Sequence, residues 1–152
     1  MIVLWHDAEP IGIGIFAAPA ASLNLRSRYF GLRSARSGLA MRSLNDQVWV
    51  LARVVLHPSW RGAGIAAAFV DRACSLCPVP WIETLTAMGH VHPFFERAGF
   101  VRVGVIRKRS KGNGAYARRR SGDTENAFSE PVYYVRDNAT AARSRSTGQN
   151  LT

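Results

Sequence analysis

Nine residues, Val48-Trp-Val-Leu-Ala-Arg-Val-Val-Leu56, are almost continuously apolar with four valines among them, and two glycines follow within eight positions. Such a run predicts a strand covered on both faces, the place of a central strand in a sheet. His57-Pro-Ser-Trp-Arg-Gly-Ala-Gly64 contains a proline and two glycines, so it predicts a loop. Beyond it Ile65, Ala68, Phe69, Ala73 and Leu76 recur at helical spacing, with Asp71 and Arg72 off that face. Cys77-Pro-Val-Pro80 then stops the helix, because proline lacks a donor and disfavours helix in the residue before it. A buried strand, a glycine turn and an amphipathic helix in succession point to helices packed on a sheet.

The remaining pattern is compatible with that frame. Residues 1–5 and 11–17 are short β-rich runs separated by His6-Asp-Ala-Glu-Pro10, an antiparallel hairpin. Between residues 18 and 47 the pattern decays, with Arg26, Arg28, Arg33, Arg36 and Arg42 among small residues, and either a loop or a short helix fits. Trp81-Ile-Glu-Thr-Leu-Thr86 reads as a second buried strand. Pro93 opens a short helix over residues 94–98 and Gly99 ends it. Residues 100–106 and 131–135 read as further strands. The expectation is one α/β domain over residues 1–137, a central mixed sheet flanked by helices. A basic insertion falls at about 107–130, and residues 138–152 form a tail without periodicity, expected to be disordered.

Twenty basic and 10 acidic residues in a chain of 152 give a net charge of +10, which favours polyanions without choosing among nucleic acid, anionic membrane and phosphorylated small molecules. The run Arg107, Lys108, Arg109, Lys111, Arg118, Arg119 and Arg120, with Tyr116 inside it, reads either as a solvated loop or as phosphate contacts on DNA or RNA. An apolar content of 47% excludes wholesale disorder. Two cysteines make no disulfide framework, and residues 1–5 lack the basic start of a secretory signal. The apolar run 11–22 contains two glycines and a proline and is too short to span a bilayer. A cytoplasmic protein with no membrane partner is expected. Cys74, Cys77, His90 and His92 have a spacing that invites a zinc site, but buried structural cysteines and surface histidines explain them better, and no metal is expected.

Glycines let a backbone turn tightly and bring its N–H groups against a ligand, and a following helix adds unpaired donors and a positive dipole end. Arg61-Gly-Ala-Gly-Ile-Ala66 therefore suits an anion such as a pyrophosphate, although a plain glycine turn is a common alternative. No lysine follows Gly64, as a P-loop requires, and Ala67 stands where a dinucleotide loop has its third glycine.

Val55-Leu-His-Pro58 followed by Arg61-Gly-Ala-Gly-Ile-Ala66 resembles the acyl-CoA loop of the GNAT superfamily of N-acetyltransferases, and Phe94-Phe-Glu-Arg-Ala-Gly-Phe100 resembles a second element of that family, in the family's order. Arg53-Val-Val-Leu-His-Pro58, Glu83-Thr-Leu-Thr-Ala-Met-Gly89 and Pro93-Phe-Phe-Glu-Arg-Ala-Gly99 are similar to a narrower branch, of domains attached to ABC-type ATPases and phage-associated proteins, near the Mom-type proteins that modify adenine in DNA. The resemblance implies a GNAT-like fold and an acetyl-CoA-dependent transfer to an amine acceptor. The alternatives are a nucleic-acid-associated module or a Mom-like DNA-modifying protein on the same scaffold, with an ABC-type ATPase or phage protein as partner.

Carried onto this chain, the resemblance implies that the amides of Arg61, Gly62, Ala63, Gly64, Ile65 and Ala66 hold the CoA pyrophosphate. Val55 and Leu56 would pair with the pantetheine arm, and the strands 48–56 and 81–86 would splay to admit the acyl group. Three departures stand out. The family's opening strand and two helices have no room before Met1, Phe95 stands where a tyrosine often protonates the thiolate, and the position of a catalytic glutamate falls near Val50. Arg53 and Glu83 are charges inside the two most apolar strands. Burial of a charge demands a partner, so a structural Arg53–Glu83 pair is the favoured reading. The functional reading makes Arg53 an anion anchor and Glu83 a base tuned by burial.

Overall fold

In the computed structural model, which describes residues 1–32, 38–107 and 130–140, β1 (Ile2–His6) and β2 (Glu9–Ala17) form the antiparallel hairpin the sequence suggests. Its turn puts Asp7 at φ 53°, a left-handed conformation that aspartate tolerates better than most residues. β2 pairs antiparallel with β3 (Val48–Leu56), and β3 pairs parallel with β4 (Trp81–Thr86). β6 (Val132–Asp137) lies antiparallel between β4 and β5 (Val101–Val105). The result is a six-stranded mixed sheet in the order β1-β2-β3-β4-β6-β5. The expected α/β class and mixed central sheet are observed.

A parallel pair needs a crossover, and α3 (Ile65–Ser75) supplies it between β3 and β4. Its buried face (Phe69, Val70, Ala73, Cys74) meets one side of the sheet. There Val70 and Cys74 join Leu51, Ile82, Val132 and Tyr134, closed off by Phe95 and Phe100 around α4 (Phe94–Arg97). Gly99, at φ +80°, lets the chain leave α4 in a conformation that favours glycine. β6 runs two residues beyond the expected 131–135 and carries Arg136, which is buried. Its Nη1 lies 2.7 Å from Asp71 Oδ1 on α3 and donates to the Ala98 carbonyl, clamping β6 to both helical elements on this face.

Residues 18–47, where the pattern allowed a loop or a short helix, contain α1 (Asn24–Tyr29) and α2 (Gly38–Gln47). Two helices thus accompany the sheet between β2 and β3. α1 lies on the face opposite α3, its Arg26 paired with Glu83 of β4, and the Phe30 ring meets Trp81 edge-on at 4.9 Å. The basic insertion and the tail fall outside the described residues except at their edges. Of the tail, residues 138–140 are described, and the buried Asn138 side chain donates to the Cys77 and Val79 carbonyls, both at 3.2 Å.

One expectation about β3 is corrected. Val48 and Leu51 are buried, but Ala52, Arg53 and Val55 are exposed. A bulge is the cause. Phe16 pairs with Leu51 while Ile15 pairs with Arg53, so Ala52 is an extra residue that turns the second half of the strand. The parallel ladder to β4 also ends at Val50–Glu83, so residues 51–56 have a strand partner on the β2 side only.

Candidate functional site

β3 delivers the chain into a short 3₁₀ turn, Pro58–Trp60, and then into the glycine loop. Several contacts fix this connection. The His57 amide donates to the Ile11 carbonyl at 2.8 Å, the Trp60 ring lies 4.6 Å from the His6 ring, and Arg61 Nε donates to the Leu56 carbonyl at 3.1 Å. Gly62 and Gly64 adopt φ +84° and +76°, where a side chain is strained. Gly64 is the N-cap of α3 and offers no side-chain cap to the first-turn donors. Among the described residues, no backbone carbonyl outside α3 accepts from the amides of residues 62–65. A Cβ built on either glycine meets nothing within 4 Å. The loop is therefore open to solvent at the positive end of an 11-residue helix, with donors to spare.

The same strand supplies the second feature. Past the last β3–β4 pair, Thr84 Oγ1 donates to the Leu51 carbonyl at 2.9 Å, replacing a ladder bond with a side chain. Beyond that bond the edge of β3 over residues 52–55 faces away from β2 with no strand beside it. Val55, 39% exposed, lies on this free stretch, and Leu56 follows it toward the loop. An unpaired strand edge presents N–H and C=O groups in the spacing an extended amide-bearing ligand can match.

The expected Arg53–Glu83 pair does not form. Arg53 shares a face with Ile15 and is exposed, because the bulge at Ala52 leaves it beyond the last pair with β4. Glu83 takes its partner from α1 instead. Arg26 Nη2 and Nε donate to the two carboxylate oxygens at 2.6 and 2.8 Å, Tyr133 Oη donates at 2.8 Å, and Arg26 Nη1 donates to the Ala20 carbonyl at 2.7 Å. Burial opposes the Arg26 charge, but the hydrogen bond and charge of Glu83 outweigh it and raise its pKa above the ordinary arginine value. Both Glu83 oxygens are engaged, so the group holds α1 to β4 and β6. Arg26 and Tyr133 escaped the sequence reading. Nothing in the pattern distinguishes Arg26 from the other basic residues, and its partner is 57 positions away.

Phe95, where the resemblance implies a frequent proton donor, is buried against Phe100 and Tyr134 with ring centroids 5.4 and 5.5 Å apart. A phenol does lie nearby. Tyr134 Oη donates to Glu96 Oε1 at 2.8 Å, and burial, then Glu96, push its pKa up to about 12. Tyr133 is pushed further still, by burial and then by the charge and hydrogen bond of Glu83, and burial raises the Cys77 thiol to about 11. All three folded-state values are raised, so the unfolded chain releases these protons first as pH rises. The stability they confer is complete below about pH 9 and is lost from there towards pH 12. Urea midpoints are expected to be level between pH 7 and 8.5 and to fall steadily above pH 9.5. A flat profile to pH 11 would mean these groups are open to solvent in the folded state.

Cys74 and Cys77 are both buried, and among the described residues no three ligating side chains come together. Arg107 is exposed at the end of the segment after β5, whereas Lys108, Arg109, Lys111, Arg118, Arg119 and Arg120 lie outside the described residues. No described helix is long and apolar enough to cross a membrane.

No protein-family model matches the chain, and no curated protein does. Solved structures do resemble it. A GNAT-like decarboxylase, GphF, in complex with isobutyryl-CoA is 14% identical, with 90% of this chain and 76% of that chain covered at a TM-score of 0.49. A histone acetyltransferase HPA2 and related acetyltransferase from Corynebacterium glutamicum is 18% identical, with 86% and 59% covered at 0.46. A chimera of the spermidine N-acetyltransferase SpeG from Vibrio cholerae and hSSAT is 16% identical, with 63% and 54% covered at 0.44. The chain spans little more than half the length of the last two. At these identities and scores no residue role passes from them to this chain.

Proposed function

We propose that the chain is an acyl-CoA-dependent N-acyltransferase that takes the acyl group of acetyl-CoA to an amine acceptor. The observation that carries the reading is a continuity: a strand edge without a partner over residues 52–55 runs into a glycine turn with unpaired amides at the start of α3. Such an arrangement suits a ligand that is amide-bearing and extended at one end and doubly anionic in its middle. Residues 62–66 would take the pyrophosphate on their amides, the Arg61 amide being held by the Pro58 carbonyl at 3.1 Å, and Val55 and Leu56 the pantetheine arm. The thioester would then reach the gap between β3 and β4.

Transfer needs no covalent enzyme intermediate. The neutral amine attacks the thioester carbonyl, a C–N bond forms, the C–S bond breaks, and CoA leaves as its thiolate while the nitrogen gives up its proton to solvent. Held side by side, the two reactants gain mainly from proximity. Phe95 has no hydroxyl to give the thiolate, so solvent protonates it. Glu83 acts as a positioning residue, keeping α1 and Tyr133 against the acceptor side of the gap. Titration calorimetry of the full chain with acetyl-CoA tests the reading. One saturable site is expected, and folded protein that gives no heat and no competition by CoA would remove it.

A further inference from the structure

Strand alternation divides the side chains around the gap between two faces. Ile82, Thr84 and Leu51 point toward α3, with Ile82 and Leu51 in its core. Glu83, bound to Arg26 of α1, points the other way, and Leu85, two residues on, points with it. Phe16 packs in the α3-side core, so Ile15 and its partner Arg53 face the α1 side, with Ile13 and its partner Val55 two steps away. Counting past the bulge, Arg53 and Leu85 stand at equal strand steps beyond the last β3–β4 pair, one on each side of the gap.

Resting on the transferase reading above, we infer that the acceptor is an amine with an apolar body and one anionic group, received on this α1-side face with the anion on Arg53. If CoA approaches along the α3 side, the nucleophile must meet the thioester from the other face. That face is unusually apolar for an exposed surface: Ile15, Val55 and Leu85 are 36%, 39% and 42% exposed beside the gap. A groove of about 510 Å³ continues it, lined by Val3, Trp5, Ile13 and Val55 and, toward the glycine loop, by His57 and Arg61. Of the two charged side chains that β3 and β4 carry, Glu83 is bound by Arg26, which leaves Arg53 beside the gap. A guanidinium on an apolar surface selects an anion, binds a carboxylate or phosphate through paired donors, and repels a polycation. The apolar surroundings then take the body of the acceptor, and the amine is left to face the gap.

The test measures release of the CoA thiol from acetyl-CoA with a set of amines: phenylalanine and leucine, their primary amides, O-phosphoethanolamine and spermidine. The anionic amines are expected to be preferred over the amides by at least tenfold in kcat/KM. The amino acids and the phosphate-bearing amine separate a carboxylate from a phosphate. Arg53→Gln should abolish that preference through KM, Arg53→Lys should keep part of it, and acetyl-CoA affinity by calorimetry should be unchanged in both. Preference for the amides or spermidine, or an unaltered ratio in Arg53→Gln, would overturn the inference. So would a wild-type protein that binds acetyl-CoA yet turns over none of the amines. Absence of acetyl-CoA binding is a different failure, because it removes the transferase reading itself.

Discussion

Arg26→Met is expected to cost about 3–5 kcal/mol of stability. The substitution leaves the Glu83 carboxylate buried, with only the Tyr133 hydroxyl in place of three donors. Small domains have about 5–15 kcal/mol in total, so the variant should be largely unfolded in mild urea where the wild type is folded. The pair itself is not a large net stabiliser, because desolvating two charges offsets most of their attraction. Arg26→Met combined with Glu83→Leu should therefore recover most of the loss, short of the Tyr133 hydroxyl left without its acceptor. Urea titrations of the single and double variants measure both. A single variant within 1 kcal/mol of wild type would show that water reaches Glu83 and that α1 is not fastened there.

That pair also marks where the sequence stops being readable. A buried charge in a strand needs a partner, and the rule correctly demanded an arginine for Glu83. It could not choose which one, and the strand-neighbour choice, Arg53, failed because a one-residue bulge at Ala52 turned that side chain outward. α1 is invisible for the same reason. Its six residues, Asn-Leu-Arg-Ser-Arg-Tyr, have no apolar stripe, and the helix is held by Arg26 on Glu83 and by Phe30 on Trp81. These are long-range contacts that local pattern does not encode. The opening hairpin, β3, the glycine turn and α3 were legible because each carries its own signal: alternating runs, positive-φ glycines, and an apolar face at helical spacing. The free edge of β3 lay in between. The continuous hydrophobicity that announced the strand suggested cover on both sides, yet its second half is the exposed part.

The glycine loop gives the sharpest functional expectation. Gly64→Val should lower acetyl-CoA affinity at least a hundredfold while the protein stays folded. The first added atom would meet no clash, since a Cβ at Gly64 has no neighbour within 4 Å. Its cost in the free protein is the strain of a β-branched residue at φ +76°, about 1–3 kcal/mol. Its cost to binding is larger, because the open space it fills is the space an anion must enter to meet the amides of residues 62–65. Gly64→Ala, with less strain and less bulk, should fall between wild type and valine. Gly89→Ala provides the opposite control. A Cβ there would come within 2.7 Å of the Tyr134 side chain and 2.9 Å of Val132 Cβ, so stability should drop by about 1–3 kcal/mol. Acetyl-CoA affinity of the folded Gly89→Ala fraction should hardly move, since the residue lies outside the loop. Calorimetry and urea melts on the three variants separate the two kinds of glycine. Wild-type affinity in a folded Gly64→Val protein would mean that the amides at the start of α3 do not hold the pyrophosphate, and that the strand edge of β3 must bind its ligand without them.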